Sequence, residues 1–176
     1  MRILTLLTLW LLCMVPLHAS AQVPTIYAGL VGGYTAAADD TAVDPMGPAI
    51  GARAGLTLPM TDIYVGGLFL YHIGEDIAAI GTASSMMMGA ELGYEFGLGP
   101  ITLRPSLGFG LNRTVAELGN DALSVSADSN DFYLSPGIGA MLSLGVLLGA
   151  EIRYNAIFEE DYPDGISILG MLGISI

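Results

Sequence analysis

Large apolar residues alternate with small or polar residues along most of the chain. In residues 85–96, every even position from Met86 to Phe96 is apolar, whereas the odd positions hold Ser, Met, Gly and Glu. Alternation with a period of two predicts a β-strand that has one apolar face. The pattern recurs in eight segments, at residues 25–35, 48–58, 63–72, 85–96, 101–112, 131–142, 145–156 and 165–176. The chain is therefore predicted to be all-β.

The connections between these segments alternate in length. Short turns are predicted at 59–62, 97–100 and 143–145, and longer loops at 36–47, 73–84, 113–130 and 157–164. Strict alternation places all the tight turns at one end of an antiparallel sheet and all the loops at the other end. This is the arrangement of an up-and-down meander, in which each strand pairs with the next one along the chain.

The uncharged stretch 132–150 is long enough for a transmembrane helix but has the wrong composition for one. It contains Pro136 and four glycines, which are poor helix formers, and its large apolar residues recur at every second position. We interpret it as two strands joined by a turn at 143–145.

The composition of the small-residue face indicates whether that face or the apolar face lies on the outside of the barrel. A soluble barrel with its apolar face inward would expose mainly Gly and Ser, whereas roughly a quarter to a third of a soluble surface is normally charged. If the apolar face meets lipid instead, every backbone polar group must be paired within the protein, which requires a closed barrel. The predicted fold is an eight-stranded antiparallel up-and-down transmembrane β-barrel.

Apart from Asp131, which borders the third loop, the six charged side chains of the predicted strands all fall on the small-residue face. They are Arg53, Glu91, Glu95, Arg104, Glu151 and Arg153. A charge that faced lipid at the midplane would cost about 2–4 kcal/mol, so we place them in the lumen. The 97–100 turn puts Glu95 diagonally across from Arg104, and Glu151 lies two residues from Arg153 on one face. We interpret the six as a structural ion-pair network that fills a narrow lumen. The alternatives, a gated pore and a catalytic acid pair, are less favoured.

Charge and composition exclude two classes of protein. The 176 residues include 17 acids and five arginines, with a net charge of −12, yet 53% of the chain is hydrophobic. Disordered acidic chains are poor in apolar residues, and a chain without a basic patch does not favour nucleic acid. The predicted loop end carries 13 of the acids against Arg113 as its one base, so the loops are expected to be strongly acidic.

Aromatic residues on the apolar face lie near the two ends of the predicted strands. Tyr34, Tyr71, Phe132 and Tyr154 lie near the loops, and Tyr94 and Phe96 near the turns. Such belts are typical of the two membrane–water interfaces, and we interpret these six residues as lipid-interface aromatics.

Residues 1–21 read as a cleaved secretory signal peptide. Arg2 precedes an apolar run at 3–15, and Ala19-Ser20-Ala21 has the small residues of a cleavage site. The run has about 13 residues, which is short of the roughly 20 needed to span a bilayer. The single cysteine, Cys13, lies within it, so no disulfide is expected in the mature chain, residues 22–176.

The signal, eight alternating strands, three short turns and four longer loops together resemble small outer-membrane barrels of the OmpA/OmpX type. The resemblance covers residues 22–176, and no appended periplasmic domain is expected after Ile176. It implies the outer membrane of a Gram-negative bacterium, periplasmic termini and a monomer. The implied partners are outer-membrane lipid and lipopolysaccharide, the barrel-assembly machinery during insertion and an unknown extracellular partner of the loops.

Two features depart from the pattern of such barrels. The last four residues, Gly173–Ile176, alternate in polarity but do not end in the usual aromatic residue. Pro105 and Pro136 fall inside two adjacent predicted strands, where each removes a hydrogen-bond donor from the ladder. A shared bulge or an edge-like irregularity is predicted there.

The function expected from these observations is non-enzymatic, structural or adhesive, with the loops meeting the partner. One alternative is a conduit that releases small apolar solutes sideways through the wall. A second is a lipid A-modifying enzyme dependent on His72, which we interpret instead as an interfacial or lumen-rim residue. No cofactor and no metal site are expected, because the acid clusters of the loops lack the spacing of a calcium loop.

Overall fold

The structure, a computed structural model, consists of β-strands and turns. It describes residues 24–38, 46–74, 76–77, 81–120, 123–158 and 163–176. The predicted signal segment 1–21 and most of the predicted loop acids lie outside these ranges. No helix of the length and hydropathy needed to span a membrane occurs among the described residues.

In the described part of the chain, ten antiparallel strands form one sheet. They are β1 (Thr25–Ala37), β2 (Gly47–Thr57), β3 (Ile63–His72), β4 (Asp76–Ile77), β5 (Gly81–Tyr94), β6 (Phe96–Leu98), β7 (Ile101–Asn120), β8 (Leu123–Ser143), β9 (Leu147–Ile157) and β10 (Gly165–Ser175). The short strand β6 continues β5 in the same register against β7, and β4 pairs with the start of β5. Eight strands therefore make up the wall, as predicted from the alternation.

The sheet closes on itself through its first and last strands. Strand β1 pairs with both β2 and β10, and the main chains of Ile26 and Ile176 exchange hydrogen bonds of 2.7 and 3.0 Å. Strand β7 pairs with β5 on one side and β8 on the other. The eight-stranded antiparallel barrel is thus confirmed, and β8 and β9 replace any helix over residues 132–150.

Inward and outward residues alternate along the wall. In β5, Met87 and Glu91 are each 1% exposed, whereas their outward neighbours Met88 and Leu92 are 43% and 47% exposed. Most of the large apolar side chains therefore cover the outside of the barrel, whereas the small and charged residues point into the lumen together with some apolar side chains such as Met87.

Tight turns join the wall strands at the end where the termini lie. Gly99 and Gly145 adopt φ values of +69° and +81°, a left-handed conformation that glycine reaches without steric cost. The turn between β2 and β3 uses Met60 and Asp62 in the same region, with φ values of +68° and +52°. These positions reverse the chain within a few residues, which keeps this end of the barrel short.

The third predicted loop, 113–130, is mostly strand. Strands β7 and β8 stay paired from Ile101–Leu142 as far as Asn120–Leu123, so this hairpin extends well beyond its neighbours. The sequence prediction was wrong here because the clean contrast between apolar and small residues fades above Asn112. Backbone hydrogen bonding continues nevertheless, because a two-stranded ribbon needs no buried face to pair its main chain.

The two prolines interrupt pairing on separate seams of the wall. The β7–β8 ladder passes both without a break. The seam between β5–β6 and β7 skips the step at Pro105, and the seam between β8 and β9 skips the step at Pro136. The register is the same on both sides of each gap, so the predicted shared bulge is wrong. Each proline lacks the N–H that would point away from the β7–β8 ladder, towards the strand on the other side. The result is one gap in each of two seams rather than one shared defect.

Candidate functional site in the lumen

Four charged side chains meet in the middle of the lumen. Arg53 of β2 reaches Glu91 of β5, with Nε 2.9 Å from Oε2, and Glu151 of β9, with Nη1 2.6 Å from Oε2. Arg153 of β9 contacts the same two carboxylates through its Nη2. We call these four residues the charge cluster.

Each carboxylate of the charge cluster contacts both guanidinium groups. The four side chains are 7% exposed or less, and their formal charges sum to zero. Buried ions are tolerated only when they are paired, and each charge here lies against two charges of opposite sign, although Arg153 Nη1 has no hydrogen-bond partner among the described residues. Because Arg53, Glu91 and Arg153 belong to three strands that are not neighbours, the charge cluster braces the barrel across its lumen.

The other predicted charges, Glu95 and Arg104, form a separate pair nearer the turns. Arg104 Nε donates to Glu95 Oε1 at 2.9 Å, and Tyr27 donates its hydroxyl to Glu95 Oε2 at 3.0 Å. The guanidinium lies 3.7 Å from the centroid of the Tyr64 ring and 4.6 Å from that of Tyr27. Glu95 and Arg104 face each other directly in the wall register rather than diagonally, and the pair with its two tyrosines closes this end of the lumen.

Glycines make room for the tyrosine that closes the lumen. A Cβ added at Gly55 or Gly66 would lie 2.5 Å or 2.1 Å from atoms of the Tyr64 side chain. The aromatic ring therefore lies directly over two main-chain segments. Some of the abundant glycine is thus a packing surface for inward aromatic rings, a role that the alternation pattern alone does not reveal.

Neutral polar side chains form a hydrogen-bonded belt nearer the loops. The members of this polar belt, in order around the wall, are Asn112, Ser85, His72, Thr35, Ser167, Asn155 and Ser135. Successive members are joined at 2.7–3.4 Å, and all seven are buried. Sequence reasoning considered only His72 and Ser85 among them, as possible members of an enzyme's catalytic group, and it did not predict a belt. Their signal was present, because each is a polar residue on the inward side of its strand.

His72 lies inside the lumen rather than at the interface. Its Nε2 is 3.1 Å from the Thr35 hydroxyl and its Nδ1 is 3.4 Å from the Ser85 hydroxyl. Ser85 donates its proton to Asn112 Oδ1 at 2.9 Å, so that proton is directed away from the imidazole. The neighbouring Ser84 lines a depression on the outer wall. This arrangement positions the imidazole within the belt.

Little space remains between these layers. The cavity beside the charge cluster has a volume of about 10 Å³ and is lined by Val31, Met141 and Leu169 together with Arg53 and Arg104. A void of this size holds about one water molecule. Beside the charge cluster, the lumen is therefore filled by side chains.

The predicted interface aromatics point away from the lumen. Tyr34, Tyr71, Phe132 and Tyr154 are 41–50% exposed near the loop end, and Phe96 is 38% exposed near the turns. Tyr94 packs against Phe96 with ring centroids 4.7 Å apart. Within the described ranges, no group of three His, Cys, Asp or Glu side chains is arranged to hold a metal ion.

One protein-family model matches most of the chain. The family model for the outer membrane protein beta-barrel domain matches residues 5–170. No curated protein sequence matches the chain.

Three solved barrels have a similar backbone. Neisserial surface protein A is 14% identical, with a TM-score of 0.60, and the match covers 88% of this chain and 98% of that one. The attachment invasion locus protein Ail of Yersinia pestis is 16% identical, with a TM-score of 0.57 and coverages of 87% and 97%. A major outer membrane protein from Thermus thermophilus is 10% identical, with a TM-score of 0.68 and coverages of 88% and 100%. At these identities the likeness concerns the fold alone.

Proposed function

Because the chain belongs to the outer membrane protein β-barrel family, we propose that it is a non-enzymatic anchor whose filled barrel holds its loops outside the cell to contact a partner. Membership of the family confirms the resemblance to small outer-membrane barrels. The observation that carries the proposal is the closed lumen, in which the charge cluster and the polar belt occupy successive levels.

A filled lumen argues against a permanent pore. An ion that passed the charge cluster would have to separate guanidinium and carboxylate groups that are almost fully buried, and removing one partner from such a pair costs about 3–5 kcal/mol. The barrel is thus better suited to holding something in place than to conducting. The loop end is therefore the part of the protein that we assign to contact with a partner.

The chemistry of the loops indicates what kind of partner they meet. The predicted loops, counted with Asp131 at the border of the third loop, contain 13 acids and one arginine, so they attract cationic surfaces and divalent cations and repel other acidic surfaces. Both ends of the described chain lie at the turn side, which is the periplasmic side in this proposal, with the loops facing outward. Outer-membrane lipid, lipopolysaccharide and the barrel-assembly machinery remain the proposed partners of the wall.

An enzymatic role for His72 has less support. A nucleophilic serine needs a base that takes its proton, whereas the Ser85 hydroxyl donates to Asn112. His72 is also fully buried inside the barrel, away from the lipid face where a lipid substrate would approach. Replacing His72 with Ala and analysing lipid A tests this point, because any lost modification would overturn the non-enzymatic assignment.

The main test is conductance across a planar lipid bilayer. The purified barrel is expected to give no steady current, and a Glu91→Ala/Glu151→Ala variant, which removes both carboxylates of the charge cluster, should open intermittently if it folds. Steady conductance of the unaltered protein would contradict the filled lumen.

Binding is tested separately, by changing Asp39, Asp40 and Asp44 to Asn and measuring attachment of cells that display the barrel to positively charged surfaces.

A second candidate is the sideways conduit for small apolar solutes. The observation that favours it is the pair of interrupted seams, which flank the β7–β8 hairpin on both sides. Uptake of an apolar dye into cells should then fall when Pro105 and Pro136 are both replaced by Val, because valine restores the missing N–H groups. Unchanged uptake would remove this candidate.

A further inference from the structure

A groove crosses the outside of the wall over the β7–β8 hairpin. Its two sides are rows of outward residues that share a register across neighbouring strands. The turn-side row is Tyr94, Pro105, Ile138 and Ile152, and the loop-side row is Leu92, Leu107, Pro136, Tyr154 and Ile166. The groove has a volume of about 830 Å³, and its sides are almost entirely apolar.

The floor of the groove is the row of inward residues between these two rows. It consists of Gly93, Ser106, Gly137 and Arg153, whose side chains, where present, point into the lumen. The outer surface of the floor is therefore backbone. Each side of the groove includes one proline, whose compact ring stands lower than the leucines and isoleucines beside it.

The same prolines interrupt the two seams that border the groove. Beside Pro105, the seam is bridged on the lumen side by the Arg104–Glu95 contact at 2.9 Å. Beside Pro136, it is bridged by the Ser135–Asn155 hydrogen bond at 2.7 Å. Both bridges join residues that face each other in the wall register, so side chains replace the missing ladder bonds and the strands stay aligned. The depression is thus held in a fixed shape.

We propose that this groove binds one acyl chain of a membrane lipid in an extended conformation. The outward wall of a family member from the outer membrane is in contact with hydrocarbon, so an apolar depression there is filled by a lipid chain. The groove crosses four strand spacings of about 4.8 Å, or roughly 19 Å, and the tilt of the strands inclines it through the membrane. A preformed site costs less to occupy than one that must be ordered on binding.

A second depression on the far side of the barrel provides a matched comparison. It has a volume of about 720 Å³ and is lined by small outward residues, including Ala28, Ala52 and Ala54, beside Phe69. The seams under it pair without a break, and no proline lies among the residues that line it. It is similar in size but lies over a continuous ladder, so any lipid there is expected to exchange as freely as elsewhere on the wall.

Fluorescence quenching by brominated phospholipid tests the proposal. Trp10 lies in the predicted signal segment and is the chain's only tryptophan, so Ile152→Trp reports on the groove and Phe69→Trp on the second depression. Each variant is reconstituted into phosphatidylcholine vesicles with an increasing fraction of brominated chains. The apparent affinity for brominated lipid at Ile152→Trp is expected to be about threefold tighter than at Phe69→Trp.

Filling the groove should remove this difference. Adding Pro105→Leu and Pro136→Leu should lower quenching at Ile152→Trp to the level at Phe69→Trp and leave Phe69→Trp unchanged. Should that variant fail to fold, Ile138→Phe fills the groove without altering either proline. Equal affinities at the two tryptophans would overturn the proposal. So would preferential quenching by brominated free fatty acid, or quenching that weakens as protein density rises, since these indicate a soluble chain or a second copy as the occupant.

Discussion

The charge cluster and the polar belt hold the barrel in different ways. In the charge cluster, Arg53, Glu91 and Arg153 join non-neighbouring strands across the lumen. In the polar belt, neutral groups such as Ser135 and Asn155 mainly join adjacent strands around the wall. The first arrangement keeps opposite walls apart at a fixed distance, and the second reinforces the wall along its circumference. We therefore expect the half of the barrel near the turns to depend on charge, and the half near the loops to depend on many weaker bonds.

The largest effect is expected from Glu91→Gln. Glu91 contacts both Arg53 and Arg153, so a neutral side chain leaves two buried guanidinium groups short of one negative charge. The free energy of unfolding should fall by about 3–5 kcal/mol. Urea titration in detergent, followed by the heat-dependent shift of the folded barrel on gels, measures it.

A control for this variant is available in the same chain. Asp62→Asn removes an acid from the turn between β2 and β3 and should change the free energy of unfolding by less than about 0.5 kcal/mol. Equal losses for Glu91→Gln and Asp62→Asn would mean that the charge cluster does not brace the barrel.

Reversing the Glu95–Arg104 pair should give the next largest effect. Arg104→Glu alone places two carboxylates together beside Tyr27 and should destabilise the barrel by about 3 kcal/mol. The double variant Arg104→Glu/Glu95→Arg restores opposite charges and should recover at least half of that loss. Thermal unfolding of the single and double variants checks this, and a double variant no more stable than the single one would show that the pairing is not what matters.

Sequence and structure agree best where the chemistry of a position is restricted. Charged residues such as Glu91 on an otherwise small-residue face had to point inward, because the other side of the wall meets lipid. The charged residues of the lumen could therefore be predicted from the sequence. The polar belt was missed because hydroxyl and amide groups such as those of Thr35 and Asn155 are tolerated on many surfaces. The separation of the proline gaps was also missed, because it depends on which side of its strand each missing N–H faces.

A smaller effect is expected from Asn155→Ala in the polar belt. Asn155 accepts from Ser135 and donates to Ser167, both at 2.7 Å, so its loss leaves two buried hydroxyls with fewer partners. The free energy of unfolding should fall by about 1–3 kcal/mol. Hydrogen exchange should increase in the loop halves of β8, β9 and β10 and stay unchanged near the turns. Faster exchange spread evenly over both halves would contradict the division between charge cluster and belt.

The smallest effects on the free energy of unfolding are expected at the two tyrosines beside Arg104. Replacing one should lower that free energy, and replacing the other should raise it. Tyr27 donates to Glu95 at 3.0 Å, whereas the buried hydroxyl of Tyr64 has no hydrogen-bond partner among the described residues. Tyr27→Phe should therefore lower the free energy of unfolding by about 1 kcal/mol. Tyr64→Phe removes an unsatisfied polar atom, keeps an aromatic ring under the guanidinium and should raise that free energy by up to about 1 kcal/mol. The two variants are compared in one urea series, where losses of the same sign and size would show that the ring contacts, and not the hydroxyls, determine how this end of the lumen is closed.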